Sequence, residues 1–66
     1  MQIYLNGEEK DISESITMSE LVRQLDLGEQ RFAIEVNEEL VPRSSFEQYR
    51  LQPGDRVEVV QAIGGG

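Results

Sequence analysis

Ile16-Thr17-Met18-Ser19-Glu20-Leu21-Val22-Arg23-Gln24-Leu25 carries the start and the body of one amphipathic helix. Thr17 and Glu20 stand at the two positions of a capping box, in which the hydroxyl accepts from the backbone N–H of Glu20 and the Glu20 carboxylate accepts from that of Thr17. Ile16 and Leu21 occupy the places of a hydrophobic staple. Met18, Leu21, Val22 and Leu25 recur at i, i+3, i+4 and i+7, one apolar stripe on a helix surface. Gly28 follows where a left-handed C-terminal cap is expected.

Outward from this helix, everything else reads as strand and turn. On the N-terminal side Met1, Ile3 and Leu5 alternate with Gln2, Tyr4 and Asn6, the period of a half-buried strand. Asn6-Gly7 favours the positive φ angles of a type I′ turn, so Glu8 to Ile12 is expected to return antiparallel. On the other side Phe32, Ile34 and Val36 alternate with Ala33, Glu35 and Asn37, and Asn37-Glu38-Glu39 reads as a tight turn into a short strand at Leu40-Val41 that Pro42 ends. Ser44 or Ser45 is placed to cap a single helical turn that tucks Phe46 against the core. Pro53-Gly54-Asp55 signals a turn, and a last strand runs from Val57 and Val59 to about Ile63. This order predicts an α+β roll of the β-grasp type, a mixed four- to five-stranded sheet packed on one main helix, with Met18, Leu21, Leu25, Ile3, Leu5, Ile34, Val57 and Val59 in the core. It divides as a domain over 1–63 and a flexible Gly-Gly-Gly tail over 64–66.

Composition narrows the chemistry. A chain of 66 residues makes one domain with a thin core, too small to carry a deep catalytic cleft easily. It contains no cysteine and no histidine, which removes a thiol nucleophile, the commonest general base and the usual zinc ligands. Its thirteen acidic and six basic residues give a net charge of −7, which repels nucleic acid and anionic lipid and favours a basic docking surface. No apolar run approaches a membrane span, and MQIYLNGEEK lacks the basic and apolar regions of a signal peptide. A cytoplasmic, monomeric protein with no bound cofactor or metal is expected. Glu8-Glu9 and Glu38-Glu39 read as solvated charge at turns rather than as ligand pairs.

The last residues, Ala62-Ile63-Gly64-Gly65-Gly66, contribute little to any core, since glycine has the most backbone entropy to lose and no side chain to bury. Taken alone, such glycines also suit a frayed end. Here they follow the final strand with no polar spacer, so their place relative to the fold is set. A run without Cβ atoms fits a narrow channel and delivers its terminal carboxyl to a reactive centre. That carboxyl has an ordinary pKa of about 3.3 to 3.7 and is therefore an oxyanion at neutral pH, able to attack an activated phosphate. The chain has no phosphate-cradling motif of its own, so a separate ATP-dependent enzyme is implied. Val60, Ala62 and Ile63 form a candidate apolar docking patch beside the tail.

The strand order, the run Ala33-Ile34-Glu35-Val36-Asn37-Glu38-Glu39-Leu40-Val41-Pro42-Arg43, the Gly54-Asp55 turn and the Ala62-Ile63-Gly64-Gly65-Gly66 end resemble the thiamine-biosynthesis sulfur carrier (ThiS) family, over the whole chain. The Gly-Gly end is shared with molybdopterin-synthase small subunits and ubiquitin-like modifiers. Val36-Asn37 followed by Val41-Pro42-Arg43 discriminates better, although a turn residue and a strand-end salt-bridge partner would also account for Asn37 and Arg43. The resemblance implies a carrier rather than an enzyme. Gly66 would be adenylated by a ubiquitin-activating-like (ThiF-like) adenylyltransferase that uses ATP, then converted to a thiocarboxylate by a persulfide sulfur donor. A ThiG-like thiazole synthase would take the sulfur, with Gly64, Gly65 and Gly66 presented to these partners. The alternatives are a carrier for molybdopterin synthesis or tRNA thiolation, or a protein modifier.

The charge imbalance carries a kinetic expectation. Association with a basic activating enzyme should slow as ionic strength rises from low to physiological values; on-rates from stopped-flow that stay flat would leave the acidic excess to solubility alone.

Overall fold

The capping box forms as the sequence requires. In the computed structural model, which describes residues 1–27 and 31–61, helix α1 spans Met18–Leu25 with Thr17 as its N-cap. The Thr17 Oγ1 accepts from the Glu20 N–H at 3.2 Å, and Glu20 Oε1 accepts from the Thr17 N–H at 3.3 Å. The two N–H groups ahead of Glu20 are also satisfied: Met18 donates to the Tyr49 carbonyl at 2.8 Å and Ser19 to that of Phe46 at 3.0 Å. A helix leaves its first N–H groups without intrahelical acceptors, so here a distant loop supplies what the helix cannot. Ile16 and Leu21, the staple pair, are both buried. At the other end the left-handed cap falls on Asp26 (φ 52°, ψ 55°), whose N–H donates to the Arg23 carbonyl. Asp tolerates that region through its short polar side chain, so the helix stops ahead of Gly28, a residue that lies outside the described ones.

Five strands form one sheet in the order β2-β1-β5-β3-β4, with β1 Gln2–Leu5, β2 Glu8–Asp11, β3 Phe32–Val36, β4 Glu39–Val41 and β5 Arg56–Gln61. The hairpin of β1 and β2 turns through Asn6 (φ 49°) and Gly7 (φ 84°), and that of β3 and β4 through Asn37 (φ 52°) and Glu38 (φ 71°). Two consecutive positive φ angles match the right-handed twist of the flanking strands. β5 lies between β1 and β3, parallel to the first and antiparallel to the second. A parallel pair needs a long crossover, and the whole stretch from β2 to the Pro53-Gly54 turn provides it. At that turn Gly54 takes φ 82° and Asp55 N–H donates to the Gln52 carbonyl at 3.1 Å. This is a β-grasp fold.

The core is Ile3, Ile12, Ile16, Met18, Leu21, Ile34, Val36, Val41, Phe46, Leu51 and Val57. Of the residues expected there, Leu5, Leu25 and Val59 are only half-buried at its margin, because they line an open hollow at the end of the sheet where β1 stops and the helix ends. Phe46 is buried as expected, and Ile12, Ile16, Val36, Val41 and Leu51 join the core beside the other expected residues. A 3-10 turn over Arg43–Ser45 carries Phe46 inward, but its N-cap is Pro42 and no side chain caps it. Neither serine is therefore used as expected. β2 stops at Asp11, one residue short of the expected Ile12, which is buried. β5 begins at Arg56, one residue earlier than its apolar pattern indicates.

Leu21 has no exposed surface and sits between the cap and the sheet. Leu21→Ala should destabilise the domain by about 2 to 5 kcal/mol, read from chemical denaturation; an unchanged midpoint would reject this packing.

Candidate functional site

The glycine tail continues from β5, so the site begins with what holds that strand. On the β3 edge it is paired from Val57, opposite Val36, to Gln61, opposite Phe32. On the β1 edge the pairing covers only Tyr4 opposite Arg56 and Leu5 opposite Val57. Side chains extend both edges. Asn37 donates its backbone N–H to the Arg56 carbonyl at 2.8 Å, and its Oδ1 accepts from the Arg56 N–H at 3.0 Å. Asn6 donates its N–H to the Val57 carbonyl at 2.8 Å, and its Oδ1 accepts from the Val59 N–H at 2.9 Å.

Asp55, buried at the entry to β5, joins these contacts to the preceding turn. Its Oδ2 accepts from the Gln52 N–H at 2.8 Å and its Oδ1 from the Asn37 side-chain amide at 3.1 Å. A buried carboxylate is tolerated when such donors meet it. The nearby Tyr49 phenol is raised above its ordinary 10 by burial first, then by the Asp55 and Glu39 carboxylates, so it stays neutral at physiological pH.

Val60 of the expected docking patch points away from the helix and is 56% exposed, opposite Ala33. It shares the outer sheet face with exposed Tyr4 and Leu40 and with Glu58, which faces Glu35 across the strands. Ala62, Ile63, Gly64, Gly65 and Gly66 lie outside the described residues. On the helix side a hollow of about 130 Å³ is lined by Leu5, Asn6, Leu25, Leu27, Val59 and Gln61. Glu8, Glu9, Glu38 and Glu39 are all exposed, and among the described residues no three acidic side chains converge as metal ligands would. Arg43 makes no salt bridge among the described residues, contrary to the strand-end ion pair weighed for it. Its guanidinium lies 4.4 Å from the centre of the Phe32 ring, an attractive arrangement because the ring face is negative.

Asn6, Asn37 and Asp55 read in the sequence as turn residues only. Their second role depends on which strand the fold brings beside them: Asn6 and Asn37 accept backbone N–H groups of β5 far along the chain, and Asp55 accepts from the distant Asn37 side-chain amide. The available signal was the residue type itself: asparagine and aspartate offer the backbone a side-chain partner wherever they stand.

A model of the ThiS family matches residues 3–66. The chain is 35% identical over 66 residues to the sulfur carrier protein ThiS of Escherichia coli, covering 100% of each. It is 41% identical over 66 residues to a thiazole synthase of Paramagnetospirillum magneticum, covering 100% of this chain and 20% of that protein; the chain thus spans about a fifth of that relative's length. Among solved structures it superposes on a thiamine biosynthesis protein (ThiS) of Geobacter metallireducens with a TM-score of 0.86 and 29% identity, covering 100% of both chains.

Asp55→Ala would leave the Gln52 N–H without its acceptor and release Asn37. The expected cost is about 1 to 3 kcal/mol, measured as a lowered denaturation midpoint, with Asp55→Asn less severe because it keeps one acceptor oxygen. An Asp55→Ala protein as stable as the parent would show that the cluster holds nothing.

Proposed function

The chain belongs to the ThiS family, and we propose from that premise that it is a sulfur carrier of thiamine biosynthesis, loaded at the carboxyl group of Gly66. The observation that carries this reading is the family match reaching Gly66 in a chain with no cysteine. Without a thiol, sulfur has no side-chain site, and the acyl carbon of the last residue is the position where it can be held as a thiocarboxylate.

The chemistry proceeds on partner enzymes. The Gly66 carboxylate attacks the α-phosphate of ATP on an adenylating enzyme, and pyrophosphate leaves. The resulting acyl-adenylate has a good leaving group. The terminal sulfur of a persulfide then attacks the acyl carbon and expels AMP, giving an acyl disulfide that a thiol reduces to the thiocarboxylate. Thiazole synthase is the acceptor this reading names. The likeness to a thiazole synthase of which the chain covers one fifth supports it, since the matching segment and a synthase occur there in one polypeptide.

The carrier itself contributes presentation. Gly64, Gly65 and Gly66 give partner active sites a segment without side chains, following β5 after Ala62 and Ile63 in sequence. Exposed Val60 and the outer face around it offer a surface for docking beside the tail, and the net charge of −7 favours basic partners.

Deleting Gly65-Gly66 should leave thermal stability nearly unchanged and abolish sulfur loading, because no core residue is lost but the reacting carboxyl moves. Extending the chain past Gly66 should do the same by turning that carboxyl into an amide. Gly65→Val should fold and load poorly, its β-branched side chain obstructing a close-fitting channel. Intact mass after incubation with ATP, the activating enzyme and a sulfur donor decides: a truncated or extended protein that gains sulfur at the parent's rate overturns the reading.

A further inference from the structure

Asn6 and Asn37 play matching parts on the two edges of β5, yet their positions along it differ. Each begins a hairpin turn with positive φ, gives its N–H to a β5 carbonyl and takes a β5 N–H on its Oδ1. Asn37 grips Arg56 at the start of the strand, where the β3 ladder already holds every following residue to Gln61. Asn6 grips Val59, two residues beyond the last β1 pair at Leu5 and Val57. It is the last hydrogen bond that the described residues make to β5 on the β1 edge. Past it, alternation turns the Gln61 N–H toward the same edge, where β1 has already ended.

We propose that Asn6 is a positioning residue for sulfur loading: its side-chain bond to Val59 aims the end of β5, and with it the tail, at the partner's reactive centre. This rests on the reading that Gly66 is the loaded residue. Without the Val59 bond, the end of β5 would be held by β3 alone, and two-stranded ribbons twist more than strands flanked on both edges. From Val59 to Gln61, where β5 ends, the strand runs about 7 Å, so a swing of about 10° at Val59 moves the point from which the tail departs by about 1 Å. Misplacement of a reacting group by an ångström is enough to cost about a hundredfold in rate; a tail that can adjust within a channel recovers part of that loss.

Three variants of the full chain test this. Asn6→Gly keeps the positive-φ turn, since Gly-Gly is a type I′ pair, and removes only the acceptor. Asn6→Asp keeps both the turn and an acceptor oxygen. Asn37→Gly is the control at the far end of β5, removing the acceptor for the Arg56 N–H together with the amide that meets Asp55. Loading is followed by intact mass with the activating enzyme, ATP and a sulfur donor, at a temperature where every variant is folded, and amide hydrogen exchange is measured at Val59. Asn6→Gly should lose protection at Val59 and fall on the order of tenfold in kcat/KM, mainly through KM. Asn6→Asp should restore most of it, and Asn37→Gly should load like the parent. Asn6→Gly loading at the parent's kcat/KM, or Asn37→Gly falling as far as Asn6→Gly, overturns the positioning role while the function stands. A parent protein that gains no sulfur overturns the function, and the inference with it.

Discussion

The pairing of β5 between β1 and β3 is the constraint on which the rest of the molecule depends. The strand formed by the last described residues occupies the centre of the sheet, so the sheet closes only when the chain's end has docked against its beginning. Val57, on β5, has no exposed surface and meets Ile3, Ile34 and Leu21 in one core. Parallel pairing to β1 demands a long connection, and the helix, the second hairpin and the 3-10 turn are what that connection consists of. The same connection gives the helix its N-terminal acceptors, through the Phe46 and Tyr49 carbonyls, so the helix is tied to the segment after β4 by hydrogen bonds and to the sheet by apolar contact.

A central C-terminal strand also explains how so small a domain serves chemistry it does not perform. β5 is held on both sides as far as Val59, by the β3 ladder and by the β1 pairs that Asn6 prolongs. The chain has no histidine or cysteine; under the function proposed above, what it contributes is a C-terminal carboxylate that a partner enzyme can reach. The domain supplies β3 pairing up to Gln61, and composition supplies three glycines after Ile63.

The fold was largely legible where a single local signal had no competitor. The capping box of Thr17 and Glu20, the Asn6-Gly7 turn and the Pro53-Gly54 turn each have one low-energy reading, and each occurs as read. Legibility failed where tertiary position decides. Leu25 and Val59 carry the right periodicity yet sit at the margin, whereas Leu51, in no regular element, is almost wholly buried. Arg43 looked like an ion-pair partner until the fold placed the Phe32 ring beneath it. Of the site, the terminal glycines stood out because no core could use them, but the polar anchors at Asn6, Asn37 and Asp55 were hidden, since their partners lie 53, 19 and, for Asp55 with Asn37, 18 residues away in sequence.

The central claim is that sulfur resides on the carboxyl carbon of Gly66. Fragment mass spectrometry of the parent protein, after incubation with ATP, an activating enzyme and a persulfide donor, tests it most directly. The account predicts one oxygen exchanged for one sulfur, localised to the C-terminal fragment that contains Gly66, with the exchange dependent on ATP. Sulfur found in any other fragment, or a terminal carboxylate unchanged beside an enzyme that loads another member of the family, would contradict it.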